Sequence, residues 1–125
     1  MGARTAMQLL HGGRAAIGAA LLVAPVQAGE PWVGDAARTP GGQVALRALG
    51  ARDLVIGLAA MRAAGRGRPG AVAALSIAIA ACDTVDGLAT GAVRSELPSE
   101  GVPVMALAFG AAAVGLALAA GVRSV

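Results

Sequence analysis

The chain has 125 residues, of which 57% are hydrophobic and only 14% are charged, and its mean hydropathy is +0.73. Soluble domains carry roughly 25% charged residues, and a chain this short buries too little surface to hide so many apolar side chains from water. The composition therefore predicts one domain that lies in lipid, with no room for a separate soluble catalytic domain.

The positive charge of the chain does not indicate a nucleic-acid partner. The net charge of +3 comes from arginines that are scattered along the sequence, and no basic patch is interleaved with aromatic residues. A single cysteine, Cys82, excludes an intrachain disulfide and any CxxC zinc or redox motif. The sequence predicts no metal site and no cofactor.

Four apolar stretches are long enough to cross a membrane as helices, which takes roughly 20 residues each. They cover residues 5 to 26, 43 to 61, 70 to 91 and 102 to 122. The predicted fold class is all-α, a four-helix transmembrane bundle in which small residues let the helices approach closely. The predicted contact positions are Gly12, Ala16 and Ala20 on the first helix, Gly50 and Gly57 on the second, Gly87 and Gly91 on the third, and Ala111, Gly115 and Ala119 on the fourth.

The first stretch has an alternative interpretation as a secretory signal. Residues 1 to 28 combine an early basic residue, an apolar core and the sequence VQA, so cleavage after Ala28 is one possibility. The apolar character also extends towards the N-terminus through Leu9 and Leu10, which favours a retained membrane span. His11 lies in this stretch and is expected to be a polar residue near the cytoplasmic end, without a function of its own.

Charged residues outside the spans orient the bundle. Two connectors hold mainly acidic residues, namely Glu30, Asp35, Glu96 and Glu100 beside Arg38 and Arg94. The middle connector and the two chain ends hold Arg4, Arg62, Arg66, Arg68 and Arg123. The positive-inside rule therefore places both termini and the middle connector in the cytoplasm, with the protein in the cytoplasmic (inner) membrane. Trp32 then lies in the first outer loop, where it is expected to act as an interfacial anchor.

The second span carries the sequence RALGARD, residues 47 to 53, and raises the question of what its charges contact. Three arginines and three aspartates lie within the spans: Arg14, Arg47, Arg52, Asp53, Asp83 and Asp86. Such groups usually face the protein interior and pair with one another. At 1.5 Å per residue, Arg47 is level with Asp86 and Arg52 with Asp83, while Arg14 can meet Asp53. The sequence thus predicts one electroneutral cluster that joins the first three helices.

Two kinds of role are open for this cluster. It can fix the packing of a bundle made largely of Ala, Val and Leu, because polar contacts between helices specify their arrangement in lipid. It can also do chemistry, because a carboxyl group in an apolar cavity is a candidate proton donor or carrier. Asp83 and Asp86 are the candidate acids, either of an enzyme that protonates or rearranges a lipophilic substrate or of a small proton-coupled carrier.

The residues around RALGARD also resemble a family of small four-span membrane proteins of unknown function from high-GC bacteria. The matching positions are Pro25, Trp32, Gly34, Arg47, Leu49, Gly50, Arg52, Asp53 and Gly57, followed by Arg66, Arg68 and Pro69 before the third helix. The resemblance implies four spans over nearly the whole chain and supplies no activity. The expected role is that of a binding or accessory membrane protein. Its expected partners are the lipid bilayer and either a lipophilic small molecule or another membrane protein. The sequence is also compatible with an oligomer.

Overall fold

The computed structural model describes residues 2–98 and 101–123, which form five α-helices and two short 3₁₀ turns. Glu100, one of the acidic residues used to orient the bundle, lies outside the described residues. The helices are α1 (Ala3–Val23), α2 (Pro25–Val33), α3 (Pro40–Gly65), α4 (Pro69–Ala92) and α5 (Gly101–Arg123), with the 3₁₀ turns at Gly34–Arg38 and Arg94–Glu96. The all-α fold class is therefore confirmed.

The first connector is mostly helical, although the sequence was expected to form a loop there. The backbone leaves the helical conformation at Ala24 (φ −131°), because the residue before a proline is disfavoured in the α region. Pro25 then starts α2, since a proline at the first helical position lacks an N–H that would be unsatisfied anyway. The first helix thus ends at Val23, whereas the predicted span ended at residue 26.

Helices α3 and α4 also begin at a proline. Pro40 starts α3, and the Thr39 hydroxyl accepts a hydrogen bond from the backbone N–H of Gly42 at 3.0 Å, which caps the helix. Pro69 starts α4 after a tight turn in which Gly67 adopts φ +62°, a conformation that glycine tolerates best. Helices α3 and α4 consequently begin before the spans predicted at residues 43 and 70.

The four long helices form a ring in which each one has two main neighbours. Helix α1 packs most extensively against α3, and α4 packs most extensively against α5. Smaller interfaces join α3 to α4 and α1 to α5, which closes the ring and leaves α1 diagonally opposite α4. The bundle thus consists of two closely packed pairs, α1 with α3 and α4 with α5.

Two apolar clusters lie at opposite ends of the bundle. Met7, Ala63, Ala64, Val72 and Ala119 form one cluster, and this end is called the Met7 end. Leu21, Ala37 and Leu46 form the other, with Trp32 packed against them, and this end is called the Trp32 end. The charged residues of the predicted cluster, apart from Arg47, lie between the two ends.

The described helices include two that are long and apolar enough to cross a membrane, Ala3–Val23 and Pro69–Ala92. A shorter apolar stretch, Ala106–Gly121, lies within α5. Helix α3 has the length to span a bilayer at 1.5 Å per residue, but it contains Arg47, Arg52 and Asp53. By length and composition, the described residues thus contain two candidate membrane-spanning helices.

Candidate functional site

Five charged side chains from three helices form a continuous set of ion pairs in the middle of the bundle, here called the charge network. Its members are Arg14 on α1, Arg52 and Asp53 on α3, and Asp83 and Asp86 on α4. Carboxylates and guanidiniums alternate along it, in the order Asp83, Arg14, Asp53, Arg52, Asp86. Each guanidinium lies between two carboxylates, and only Asp53 lies between two guanidiniums.

Arg14 forms the part of the network that crosses the diagonal of the bundle. Its Nη2 donates a hydrogen bond to Oδ2 of Asp83 on the opposite helix. Its Nη1 lies 3.6 Å from Oδ1 of Asp53. The side chains of Arg14, Asp53 and Asp83 are only 11%, 12% and 5% exposed, so these charges depend on one another rather than on solvent for their stabilisation.

Arg52 forms the second half of the network and lies nearer the surface, with 30% of its side chain exposed. Its Nη2 and Nη1 donate to the two oxygens of Asp86 at 2.6 and 3.3 Å, which is a two-point guanidinium–carboxylate pair. Its Nε and Nη2 also donate to Oδ1 of Asp53 at 3.2 and 3.1 Å. Arg52 therefore ties its own helix to α4.

The structure corrects two of the three predicted pairs. Arg14 does lie beside Asp53, as predicted. Arg52 pairs with Asp86 instead of Asp83, and Asp83 is taken by Arg14. Counting residues along a helix gives depth, but the direction in which a side chain points around the axis decides which of two carboxylates one turn apart it meets.

Arg47 was predicted to be a member of the cluster and is not one. Its Nε donates to the backbone oxygen of Leu22 at 3.3 Å, and its Nη1 donates to Oε1 of Gln43 at 3.4 Å, both in an exposed setting. Arg47 lies one turn closer to the Trp32 end than Gly50, where α1 ends and its last carbonyl groups are free to accept a hydrogen bond. The three-to-three charge balance expected from the sequence is therefore lost.

Without Arg47, the network holds two guanidiniums and three carboxylates. It carries one net negative charge when all five groups are ionised, and the described residues around it supply no further arginine. An uncompensated charge in a protein interior is strongly unfavourable. This imbalance is the property of the site with the clearest chemical consequence.

Glycines allow the helices that carry the network to approach closely. A Cβ at Gly50 would lie 2.6 Å from the backbone oxygen of Gly18, and a Cβ at Gly57 would lie 2.8 Å from the backbone oxygen of His11. The backbones of α1 and α3 are thus nearly in contact, as the sequence predicted for Gly50 and Gly57.

The predicted contact stripe on α1 is wrong in part. Ala16 and Ala20 are exposed, and the face towards α3 is formed by the buried residues Ala15 and Gly18. On α4, Gly87 faces the ring of Phe109 on α5, so that predicted contact position is in use. On α5, Ala119 is buried and Gly115 lies near the side chain of Leu10.

Two buried polar side chains between the network and the Met7 end have no hydrogen-bond partner in the structure. His11 is 1% exposed, and both of its ring nitrogens lack a partner; Ser76 is 2% exposed, and its hydroxyl lacks one. The Nε of Arg14 is unpaired as well. The sequence suggested only a peripheral role for His11 and gave no signal for Ser76, although Ser76 is two helical turns from Asp83 on the same face of α4.

Trp32 contacts α4 directly and is more than a surface anchor. Its Nε1 donates to the Thr90 hydroxyl at 3.1 Å, and that hydroxyl donates to the backbone oxygen of Asp86 at 2.7 Å. Helix α2 thereby connects to the helical turn that carries one end of the network.

A cleft of about 700 Å³ opens at the Trp32 end, between α2 with its following 3₁₀ turn and the segment after α4. Glu30, Asp35 and Glu96 line it together with Val33 and Leu97. Glu30 is engaged by Arg38 at 2.8 Å in an exposed ion pair. The cleft is acidic and separate from the charge network.

No protein-family model, no curated protein and no solved structure matches this chain. Among the described residues, no group of three or more His, Cys, Asp or Glu side chains is arranged to hold a metal ion. The chemistry of the site is therefore inferred from its own geometry.

Proposed function

We propose that the chain is a multi-pass protein of the cytoplasmic membrane in which α1, α3, α4 and α5 are four spans and both termini are cytoplasmic. The observation that carries this proposal is the distribution of polarity. Large apolar side chains point outward on all four helices, and the charged residues lie between them. The exposed set includes Leu9 and Ile17 on α1, Val44, Val55 and Leu58 on α3, Ile77, Val85 and Leu88 on α4, and Leu107, Val114 and Leu116 on α5.

The charges of α3 are compatible with a membrane span because of where they lie. Asp53 is buried against α1, and Arg52 is turned towards α4. Arg47 lies near the Trp32 end, where a long side chain can reach the interface. A helix whose ionised groups face the bundle can cross a bilayer even when its average hydropathy is modest.

Reporter fusions test the topology. A cytoplasmic reporter is expected to be active when fused in the turn at Gly67, and an exported reporter when fused after Glu96. Fusions at the two positions have opposite expected outcomes in the same chain, so each is the control for the other. An exported reporter that is active at Gly67 would overturn the proposed orientation.

Within the membrane, we propose a binding or accessory role, in agreement with the resemblance to small four-span proteins of unknown function. The charge network supports this role because its hydrogen bonds link α1, α3 and α4 and so give an otherwise uniform bundle a single arrangement. The outward apolar faces then serve as contact surfaces for lipid, for a second copy or for another membrane protein.

Photo-crosslinking from these faces tests the accessory role. A photoreactive residue at Leu107 or Ile77 is expected to give one adduct of fixed mass in intact cells. The same probe at buried Ala112 is the control and is expected to react only within the chain. If every outward position gives lipid adducts alone, the chain has no protein partner and the accessory role is refuted.

A second function is favoured by the charge imbalance. Three carboxylates beside two guanidiniums make the network a site for one proton, which is the requirement of a proton-coupled carrier. The remaining alternative is an enzyme in which Asp83 or Asp86 donates a proton to a lipophilic substrate. Replacing each aspartate separately by asparagine tests both: loss of the cellular phenotype with normal protein levels supports chemistry, whereas simultaneous loss of protein supports a purely structural network.

A further inference from the structure

We infer that the charge network binds one exchangeable proton and that His11 and Ser76 connect it to the cytoplasmic side of the membrane. This inference rests on the four-span topology proposed above and deepens the proton-carrying alternative. It is based on the charge count of the network together with two buried, unpartnered polar side chains beside it.

The charge count calls for a positive species inside the bundle. A proton is the smallest one, and the arrangement of the carboxylates leaves space for it. The bonds from Arg52 and the contact from Arg14 both reach Oδ1 of Asp53, and the bond from Arg14 reaches Oδ2 of Asp83. One oxygen of each of these two carboxyl groups therefore remains available to carry a hydrogen. A metal ion is less suitable because no group of three or more His, Cys, Asp or Glu side chains among the described residues is arranged to hold one.

His11 and Ser76 lie at the same depth on diagonally opposite helices. His11 is about 12 Å along α1 from its start at the Met7 end, and Ser76 is about 10 Å along α4 from its start at the same end. On α3, Gly57 packs against the backbone of His11. Gly57 is also about 12 Å from the Met7 end, measured from the end of α3. Arg14 and Asp83 follow at roughly 16 and 21 Å. The two unpartnered side chains thus lie between the charge network and the Met7 end.

The surroundings of His11 connect it electrostatically to the network. The charged groups of the bundle interior are Arg14 on its own helix, Arg52 and Asp53 on α3, and Asp83 and Asp86 on α4; the described side chains of α5 include no charged group. Arg14 lies one helical turn from His11 on the same side of α1. Buried polar atoms without protein partners are commonly satisfied by water, and the nitrogens of His11, the Ser76 hydroxyl and Arg14 Nε provide four groups that can hold it.

The proposed transfer conserves charge and atoms. A hydronium ion in cytoplasmic water transfers its proton to one ring nitrogen of neutral His11 and becomes water, and the hydrogen on the other ring nitrogen leaves as a proton towards the network. One N–H bond forms and one breaks, so the imidazole ends neutral in its other tautomer. The leaving proton forms an O–H bond with a network carboxylate, which lowers the net negative charge from one to zero. Release follows the same steps in reverse.

Infrared spectroscopy of the full chain in lipid, with ¹³C-labelled aspartate carboxyl groups, detects the bound proton. Wild type at neutral pH is expected to show the C=O band of one protonated aspartate. Asp83→Asn leaves two carboxylates with two guanidiniums, so this band is expected to disappear. Arg47→Gln, which alters an arginine outside the network, is expected to keep it. Absence of the band in the wild type overturns the inference.

Deuterium exchange of the same band tests the connection to the cytoplasmic side. His11→Leu and Ser76→Ala are expected to keep the band, since the charge count is unchanged, while the rate at which it shifts in D₂O falls at least tenfold for His11→Leu. If both variants exchange at the wild-type rate, the proposed route is refuted. Fluorescence of Trp32 confirms that each variant is folded, and the reporter fusions separately reveal any error in the topology.

Discussion

Removal of the Arg52 guanidinium should destabilise the protein far more than removal of the Asp83 charge, because the two changes shift the net charge of the network in opposite directions. Arg52→Gln leaves one guanidinium with three carboxylates and doubles the excess of carboxylates over guanidiniums from one to two. Asp83→Asn leaves two of each and removes the excess. A purely pairwise account of the ion pairs would instead predict substantial losses for both variants.

The expected magnitudes follow from the contacts. Arg52 makes four hydrogen bonds to two carboxylates, and breaking a buried charge pair by removing one partner costs about 3 to 5 kcal/mol. Asparagine at position 83 keeps an oxygen that can accept the Arg14 hydrogen bond, so its cost is expected to stay within about 1 kcal/mol. The double variant Arg52→Gln/Asp86→Asn restores the wild-type net charge and should recover more than half of the Arg52→Gln loss.

Equilibrium unfolding in mixed micelles with an increasing fraction of denaturing detergent measures these free energies. Trp32 is the only tryptophan and no tyrosine is present, so its fluorescence follows folding without labels. Arg47→Gln is the matched control, because its bonds to Leu22 and Gln43 are exposed. Equal losses for Asp83→Asn and Arg52→Gln would refute the charge-count reasoning, as would a loss of similar size in the control.

Three further changes test the packing. Gly50→Ala places a Cβ 2.6 Å from a backbone oxygen of α1, so it is expected to lose about 1 to 3 kcal/mol in the same unfolding assay, whereas Gly13→Ala has nothing within 4 Å and should be neutral. Trp32→Phe removes the hydrogen bond to Thr90 and is expected to lower the unfolding free energy by about 1 kcal/mol. Unfolding of this variant is measured by circular dichroism because the fluorophore is lost, and an unchanged free energy would contradict the hydrogen bond. Arg38→Gln removes an exposed ion pair and should change the unfolding free energy by less than about 1 kcal/mol, since 61% of that side chain is exposed.

Much of the helical arrangement could be predicted from the sequence because it depends on patterns that are local along the chain. Prolines 40 and 69 mark the starts of α3 and α4 by their covalent geometry. Apolar runs of about 20 residues are visible in composition alone. Helix α2 was missed because a segment with Gly, Pro and Glu reads as a loop, and only its packing against Leu46 and α4 makes the helical conformation favourable.

The membership of the charge network was harder to predict because it depends on rotation about the helix axes. The positions 50, 53 and 57 form one stripe at helical spacing, and this stripe is the face that α3 turns to α1. Recognising the stripe places Asp53 in the interior, but it does not say which way a long arginine side chain bends. By depth along the helix, both Arg47 and Arg52 could belong to the network. Which of them does belong depends on the neighbouring helices that their side chains meet.

If the chain is the four-span bundle proposed above, the network also gives the buried charges a role in holding the helices together. Helix association in lipid receives little help from the hydrophobic effect, so close backbone contact and polar bonds must supply it. The α1–α3 pair has its glycine contact at Gly18 and Gly50, and the α4–α5 pair packs the Phe109 ring on Gly87. The interfaces between the two pairs are smaller. Both carboxylates of α4 bond to guanidiniums of the other pair, so the charges lie where packing alone is weakest. A proton that changes the charge of this junction would therefore act on the contact between the two helix pairs, which links the stability of the bundle to the occupancy of the site.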